Sequence, residues 1–69
     1  MLVTAEWPGT VREIAVTVGD TVNEDDELLT LESMKMLTPV ASPSRGRVVE
    51  IHVAIDDVIE EGALLVTLE

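Results

Sequence analysis

Sliding the sequence over itself by 37 residues brings Gly9 onto Gly46 and reveals two copies of one unit. Gly9-Thr-Val-Arg-Glu-Ile-Ala-Val-Thr-Val-Gly-Asp overlies Gly46-Arg-Val-Val-Glu-Ile-His-Val-Ala-Ile-Asp-Asp, and Glu24, Leu28, Thr30, Leu31 and Glu32 fall on Glu61, Leu65, Thr67, Leu68 and Glu69. A unit this short cannot bury an apolar face by itself, so the two copies must pack together about a pseudo-two-fold axis with the core between them. The segment between them, Ser33 to Arg45, is read as the part that does not repeat and is where function is expected.

Each copy reads as β structure. Val, Ile and Thr supply about a third of the residues, and branched side chains suit a pleated, half-buried surface. Ile14, Val16 and Val18, like Ile51, Val53 and Ile55, stand at every second position, which is the strand period. Val11 to Ile14 and Val48 to Ile51 break the alternation at the same place, which predicts a shared bulge. Gly9, Gly19-Asp20, Pro39, Pro43, Gly46, Asp56-Asp57 and Gly62 keep the strands short and the turns tight. The expected fold is a small all-β barrel or sandwich whose closure hides strand edges that would otherwise aggregate.

With 69 residues the chain is one domain, 1–69, and such a domain buries only about 60% of its unfolded surface. No cysteine is present, so apolar packing has no help from disulfides or zinc thiolates. Fourteen acidic residues against four basic ones give a net charge of −10, which argues against nucleic acid and anionic membranes as partners. With no apolar run of spanning length and no signal-peptide pattern, the expectation is a cytoplasmic, monomeric domain.

Lys35 is the only lysine. Strand signals at Leu28–Leu31 and Leu37–Val40 put it near a hairpin turn, with its amine projecting into water. Flanked by Met34 and Met36, it offers a nucleophile for acylation and two polarizable contacts for whatever reads the site.

Glu32-Ser33-Met34-Lys35-Met36 resembles the attachment motif of the biotinyl domains of biotin-dependent carboxylases, the biotin carboxyl carrier family. The resemblance extends over Pro8-Gly9, Val11, Gly19-Asp20, Val22, Leu31-Glu32, Gly46, Gly62 and Leu65. It implies a flattened eight-stranded barrel-sandwich hybrid of two quasi-symmetric halves, with the modified lysine on an exposed hairpin. It further implies that biotin protein ligase joins biotin to Lys35, with Glu32, Ser33, Met34 and Met36 recognised by the ligase. The biotinyl arm would then carry carboxylate between biotin carboxylase and carboxyltransferase sites, as in an acyl-CoA carboxylase of fatty acid biosynthesis. The domain would be a non-catalytic carrier. A water-exposed lysine is cationic at neutral pH, so deprotonation would fall to the ligase. Asp25-Asp26 and Asp56-Asp57 stand where the family often has Gly-Asp, and aspartate tolerates left-handed turns better than most residues.

Two other readings of this shape compete. One is a lipoyl domain of a 2-oxo acid dehydrogenase or glycine cleavage system, in which Asp-Lys-Ala is usual at the turn; Met34 and Met36 favour biotin. The other is an unmodified interaction barrel, which would not need Lys35. Elsewhere the residues read plainly. His52 is a solvent-facing strand residue, and Trp7 covers one end of the barrel. Arg12, Arg45 and Arg47 are surface ion-pair partners, and the acidic runs near Asp25 and Asp56 lack calcium-loop spacing. The charge has one functional consequence: basic docking patches on partner enzymes would gain encounter rate. Raising salt should therefore slow carboxyl transfer to the intact domain far more than to free biotin, and equal sensitivity would exclude electrostatic steering.

Overall fold

The computed structural model describes all 69 residues. Eight strands follow in order: β1 (Leu2–Thr4), β2 (Gly9–Ile14), β3 (Thr21–Val22), β4 (Glu27–Ser33), β5 (Met36–Ala41), β6 (Gly46–Ile51), β7 (Val58–Ile59) and β8 (Leu64–Leu68). They form two four-stranded sheets, ordered β1-β8-β6-β3 and β5-β4-β2-β7, in a body of 31 × 18 × 18 Å. This is the flattened, all-β, two-halved arrangement that the sequence led us to expect.

The 37-residue offset maps β2 onto β6, β3 onto β7 and β4 onto β8. The short strands are exchanged between copies. β3 of the first copy pairs with β6 of the second, and β7 of the second pairs with β2 of the first. The bulge is where the broken alternation put it: register shifts between Val11 and Glu13 against β4, and between Val48 and Glu50 against β8.

The repeat is longer than its sequence suggests, which corrects the span of the unique segment. Val40 lies opposite Leu29 as Val3 lies opposite Val66, and the bulge between Glu27 and Leu29 recurs between Thr4 and Val3. Backbone bonds of Ala5 to Gly62 and Ala63 are repeated by those of Ser42 to Asp25 and Asp26. Residues 38–45 are thus the structural counterparts of residues 1–8, although Val3 and Val40 are their one identity. β1 and β5 are edge strands, which specify little of their sequence, so the backbone is symmetric where the side chains are not. Only Ser33–Leu37 have no mate.

Four turns share one geometry. In Thr17–Asp20, Asn23–Asp26, Ala54–Asp57 and Glu60–Ala63 the last N–H bonds the first carbonyl. Their third residues, Gly19, Asp25, Asp56 and Gly62, have φ of 101°, 74°, 75° and 88°, as a type II turn requires. Asp20, Asp26 and Asp57 each accept a bond from the backbone N–H three residues earlier, at 2.9 Å. These acidic runs therefore serve turn geometry. The apolar alternation overshoots at the first and third turns: the strands end at Ile14 and Ile51, and Val18 and Ile55 sit exposed within the turns.

The core is symmetric too. Val11, Val22, Leu28, Leu29 and Leu31 are buried together with their mates Val48, Ile59, Leu65, Val66 and Leu68, and Val3 and Ala5 complete the cluster. Ser42, the mate of Ala5, is 1% exposed and satisfies its hydroxyl by donating to the Ser44 carbonyl at 2.6 Å. Gly9 and Gly46 let strands approach closely, since a Cβ on either would lie 2.9 Å from the carbonyl oxygen of Glu32 or Glu69. Gly9→Ala should therefore cost about 1–3 kcal/mol through overpacking against backbone, measured by urea denaturation; an unchanged midpoint would show that β4 yields.

Candidate functional site

β4 and β5 form the hairpin that carries Lys35, held by six register pairs from Glu27–Ala41 to Ser33–Met36. The loop is two residues, Met34 and Lys35, with φ of 51° and 66°. Positive φ at both central positions is the type I′ turn, whose twist matches a hairpin but which favours Asn-Gly. Neither residue is glycine, so the tip holds left-handed strain against the grip of the strands.

Of the residues read from the sequence as the site, Lys35 is exposed and takes part in none of the three ion pairs. Met34 is 93% and Met36 67% exposed. These are large apolar side chains left in water beside the amine. Ser33 is half-buried in the pair that closes the loop. Glu32 is not free, because its carboxylate binds Arg12 Nε at 2.6 Å.

Arg12 is the bulged residue of β2, and from there it also reaches Asp56 at 3.1 Å, so it ties the hairpin stem to a turn of the second copy. The hydrogen bond to Glu32 and its charge, with a smaller push from Asp56, raise the Arg12 pKa above its usual value; the guanidinium stays charged throughout the working pH range. Arg47 pairs with Glu69 at 2.6 Å, as expected of a surface arginine, whereas Arg45 makes no such pair. His52 is exposed just beyond β6, with Nε2 2.8 Å from Thr67 Oγ1.

Sequence reasoning missed how Trp7 relates to the hairpin. Trp7 lies on the β1–β2 connection, half-buried against the core. With Ser33, Met34, Met36 and Thr38 it lines a cleft of about 330 Å³ beside the lysine. Its Nε1 is buried without any hydrogen-bond partner, a state that costs about 1–3 kcal/mol. A lone aromatic residue two positions before a strand was the available signal, but no periodicity says which end of the barrel its loop covers.

The site provides a displayed primary amine on a rigid stem, with a small aromatic and thioether cleft at its foot. An acyl group on Nζ would meet no steric obstacle from the exposed turn. Replacing Met34 with asparagine, which adopts left-handed geometry readily, should raise stability by about 0.5–1 kcal/mol; a lower urea midpoint would show that the turn holds no strain.

Comparison with known proteins gives a consistent picture. A family described as "Biotin-requiring enzyme", the biotin/lipoyl family, matches residues 1–68. The chain is 39% identical over 64 residues to the biotin carboxyl carrier protein of Streptococcus mutans, covering 93% of this chain and 49% of that one. It is 39% identical over 66 residues to the biotinylated protein TB7.3 homolog of Mycobacterium leprae, covering 96% of this chain and 93% of that one. It is 46% identical over 59 residues to the dihydrolipoyllysine-residue acetyltransferase component of the pyruvate dehydrogenase complex of Cupriavidus necator, covering 86% of this chain and 11% of that one. The urea carboxylase of Kluyveromyces lactis superposes with a TM-score of 0.94 at 28% identity, over 100% of this chain and 6% of that one. The chain thus spans about half of the streptococcal carrier and about a tenth of the acetyltransferase component.

Proposed function

We propose, from the premise that this chain belongs to the biotin/lipoyl family of biotin-requiring enzymes, that it is a biotin carboxyl carrier with biotin linked covalently to Lys35. The observation that carries the reading is local. The only lysine of the chain stands at the tip of a strained two-residue turn, between two exposed methionines, within the one stretch that has no symmetry mate.

The residues fit the group. Attachment needs an accessible amine: once the ligase takes the ammonium proton, Nζ would attack the acyl carbon of biotinyl-adenylate, AMP would leave with the electrons of the broken anhydride bond, and the second proton on nitrogen would be lost as the amide forms. Biotin protein ligase would read Met34 and Met36, whose flexible thioethers adapt to a partner surface, with Ser33 and the stem residue Glu32 beside them. Bound biotin supplies a ureido nitrogen that carries a carboxyl group. The protein's own share is positional: the six-pair hairpin fixes where the arm is rooted, and the closed core keeps that root rigid. No base, nucleophile and orienting group converge here, so the chemistry is assigned to a biotin carboxylase and a carboxyltransferase, and this chain is the non-catalytic carrier between them. Its place would be the cytoplasm, with those enzymes.

A lipoyl carrier has the same body, and the acetyltransferase relative keeps that alternative in view. The flanking methionines favour biotin. Intact mass of the protein expressed with biotin ligase and biotin, beside a Lys35→Arg control, decides the matter. A single biotinyl increment, absent from the control, is expected. No increment, with a lipoyl increment in the parallel experiment with lipoyl ligase, would overturn the reading.

A further inference from the structure

The chain contains three methionines and no cysteine, so thioethers are its only sulfur groups, and they are placed unequally. Met34 is 93% exposed, Met36 67% and Met1 59%. Met1 is the least open of the three, and its Sδ accepts a hydrogen bond from Ser44 Oγ at 3.4 Å. Met34 and Met36 flank the sole lysine and line one cleft with Trp7, so a surface that grips the lysine tip must cover both. A thioether left in water is open to two-electron oxidation, and sulfoxide formation converts a flexible apolar side chain into a polar, chiral one.

We infer that Met34 and Met36 are sites of reversible oxidation by a hydroperoxide, and that their sulfoxides block attachment at Lys35. The inference rests on the carrier reading. In the step, a sulfur lone pair attacks the terminal oxygen of the hydroperoxide. The S–O bond forms as the O–O bond breaks, and the departing oxygen takes the hydroperoxide proton to leave as water or an alcohol. Sulfur loses two electrons and the peroxide gains them. A reductase dithiol reverses the change: its two thiols supply two electrons and become a disulfide, and the oxygen leaves as water. A ligase surface that packs on two thioethers would then have to desolvate an S=O group on each side of the amine. The fold is indifferent to the change. Both side chains stand outside the buried cluster, and neither the strand pairing of β4 with β5 nor the Arg12–Glu32 contact involves a sulfur atom. The modification is therefore visible to a partner and not to the barrel, which is what a reversible gate on loading requires.

The full chain is treated with hydrogen peroxide, which is then removed. The added oxygens are located by peptide mass mapping, and the initial rate of biotinylation by biotin protein ligase is read by intact mass. Sulfoxide should appear first at Met34, then at Met36 and last at Met1. Protein oxidised at both Met34 and Met36 should acquire biotin about ten-fold more slowly, the order of magnitude set by losing one apolar contact of methionine size, with its urea midpoint unchanged. Methionine sulfoxide reductases for the two epimers should restore the rate. Met1→Leu should behave as the parent before and after peroxide. Attachment at the parent rate with Met34 and Met36 oxidised would overturn the inference and leave the carrier reading standing. The same holds for a slowed rate that the reductases fail to restore, a slowed rate accompanied by a lowered urea midpoint, or oxidation confined to Met1. Untreated protein that gains no biotin would overturn both.

Discussion

Exchange of the two short strands is the constraint on which everything else in this molecule depends. β3 is bonded to the other copy's β6, and β7 to the other copy's β2, so neither copy contains a complete sheet. Ten of the twelve core residues come in five pairs, one member from each copy. A 69-residue chain without disulfides has little surface to bury, and interlocking its halves makes every core contact depend on both. The close approaches at Gly9 and Gly46 and the four turns of one type are what allow strands so short to meet at all.

This symmetry also determines where chemistry can be placed. A residue with a mate is held by the same packing twice, and most of the chain is so held. The stretch without a mate, Ser33–Leu37, joins the copies at one end, whereas Met1 and Glu69 lie at the other, with the Met1 amine on the Leu68 carbonyl at 2.6 Å. The Arg12 bridge to Glu32 and Asp56 braces the stem against the second copy, so the tip is rooted in the rigid body although its side chains lie in water.

Much of this was legible in the sequence because repetition is an internal control. The paired bulges at Val11–Glu13 and Val48–Glu50 could be read from one alternation broken twice, and the replacement of glycine by Asp25 and Asp56 could be read as left-handed turns. Three things could not be read. Periodicity says that a residue is in a strand but not which copy's strand it joins, so the exchange was invisible. The equivalence of residues 1–8 with 38–45 was hidden because edge strands ask for little more than extended backbone. Val18 and Ile55 looked like inward strand positions, yet a turn geometry fixed by Gly19 and Asp56 carries them outward. The sequence placed Lys35 and its methionines at a hairpin turn, but only the fold brings Trp7, far away in sequence, to their side.

The last step concerns what separates one carrier from another. Biotin and lipoyl carriers share the barrel, so nothing in the sheets, the core or the strand exchange can tell a ligase which group to attach. Discrimination has to reside where the fold imposes least, and in this chain that is the unmated turn. Its two central residues accept left-handed strain that an Asn-Gly tip would avoid, and Met34 stays almost wholly in water although burial would favour it. Both choices work against stability and neither is needed to close a hairpin. Left-handed strain and an exposed methionine beside the only lysine are features that hairpin closure alone does not account for.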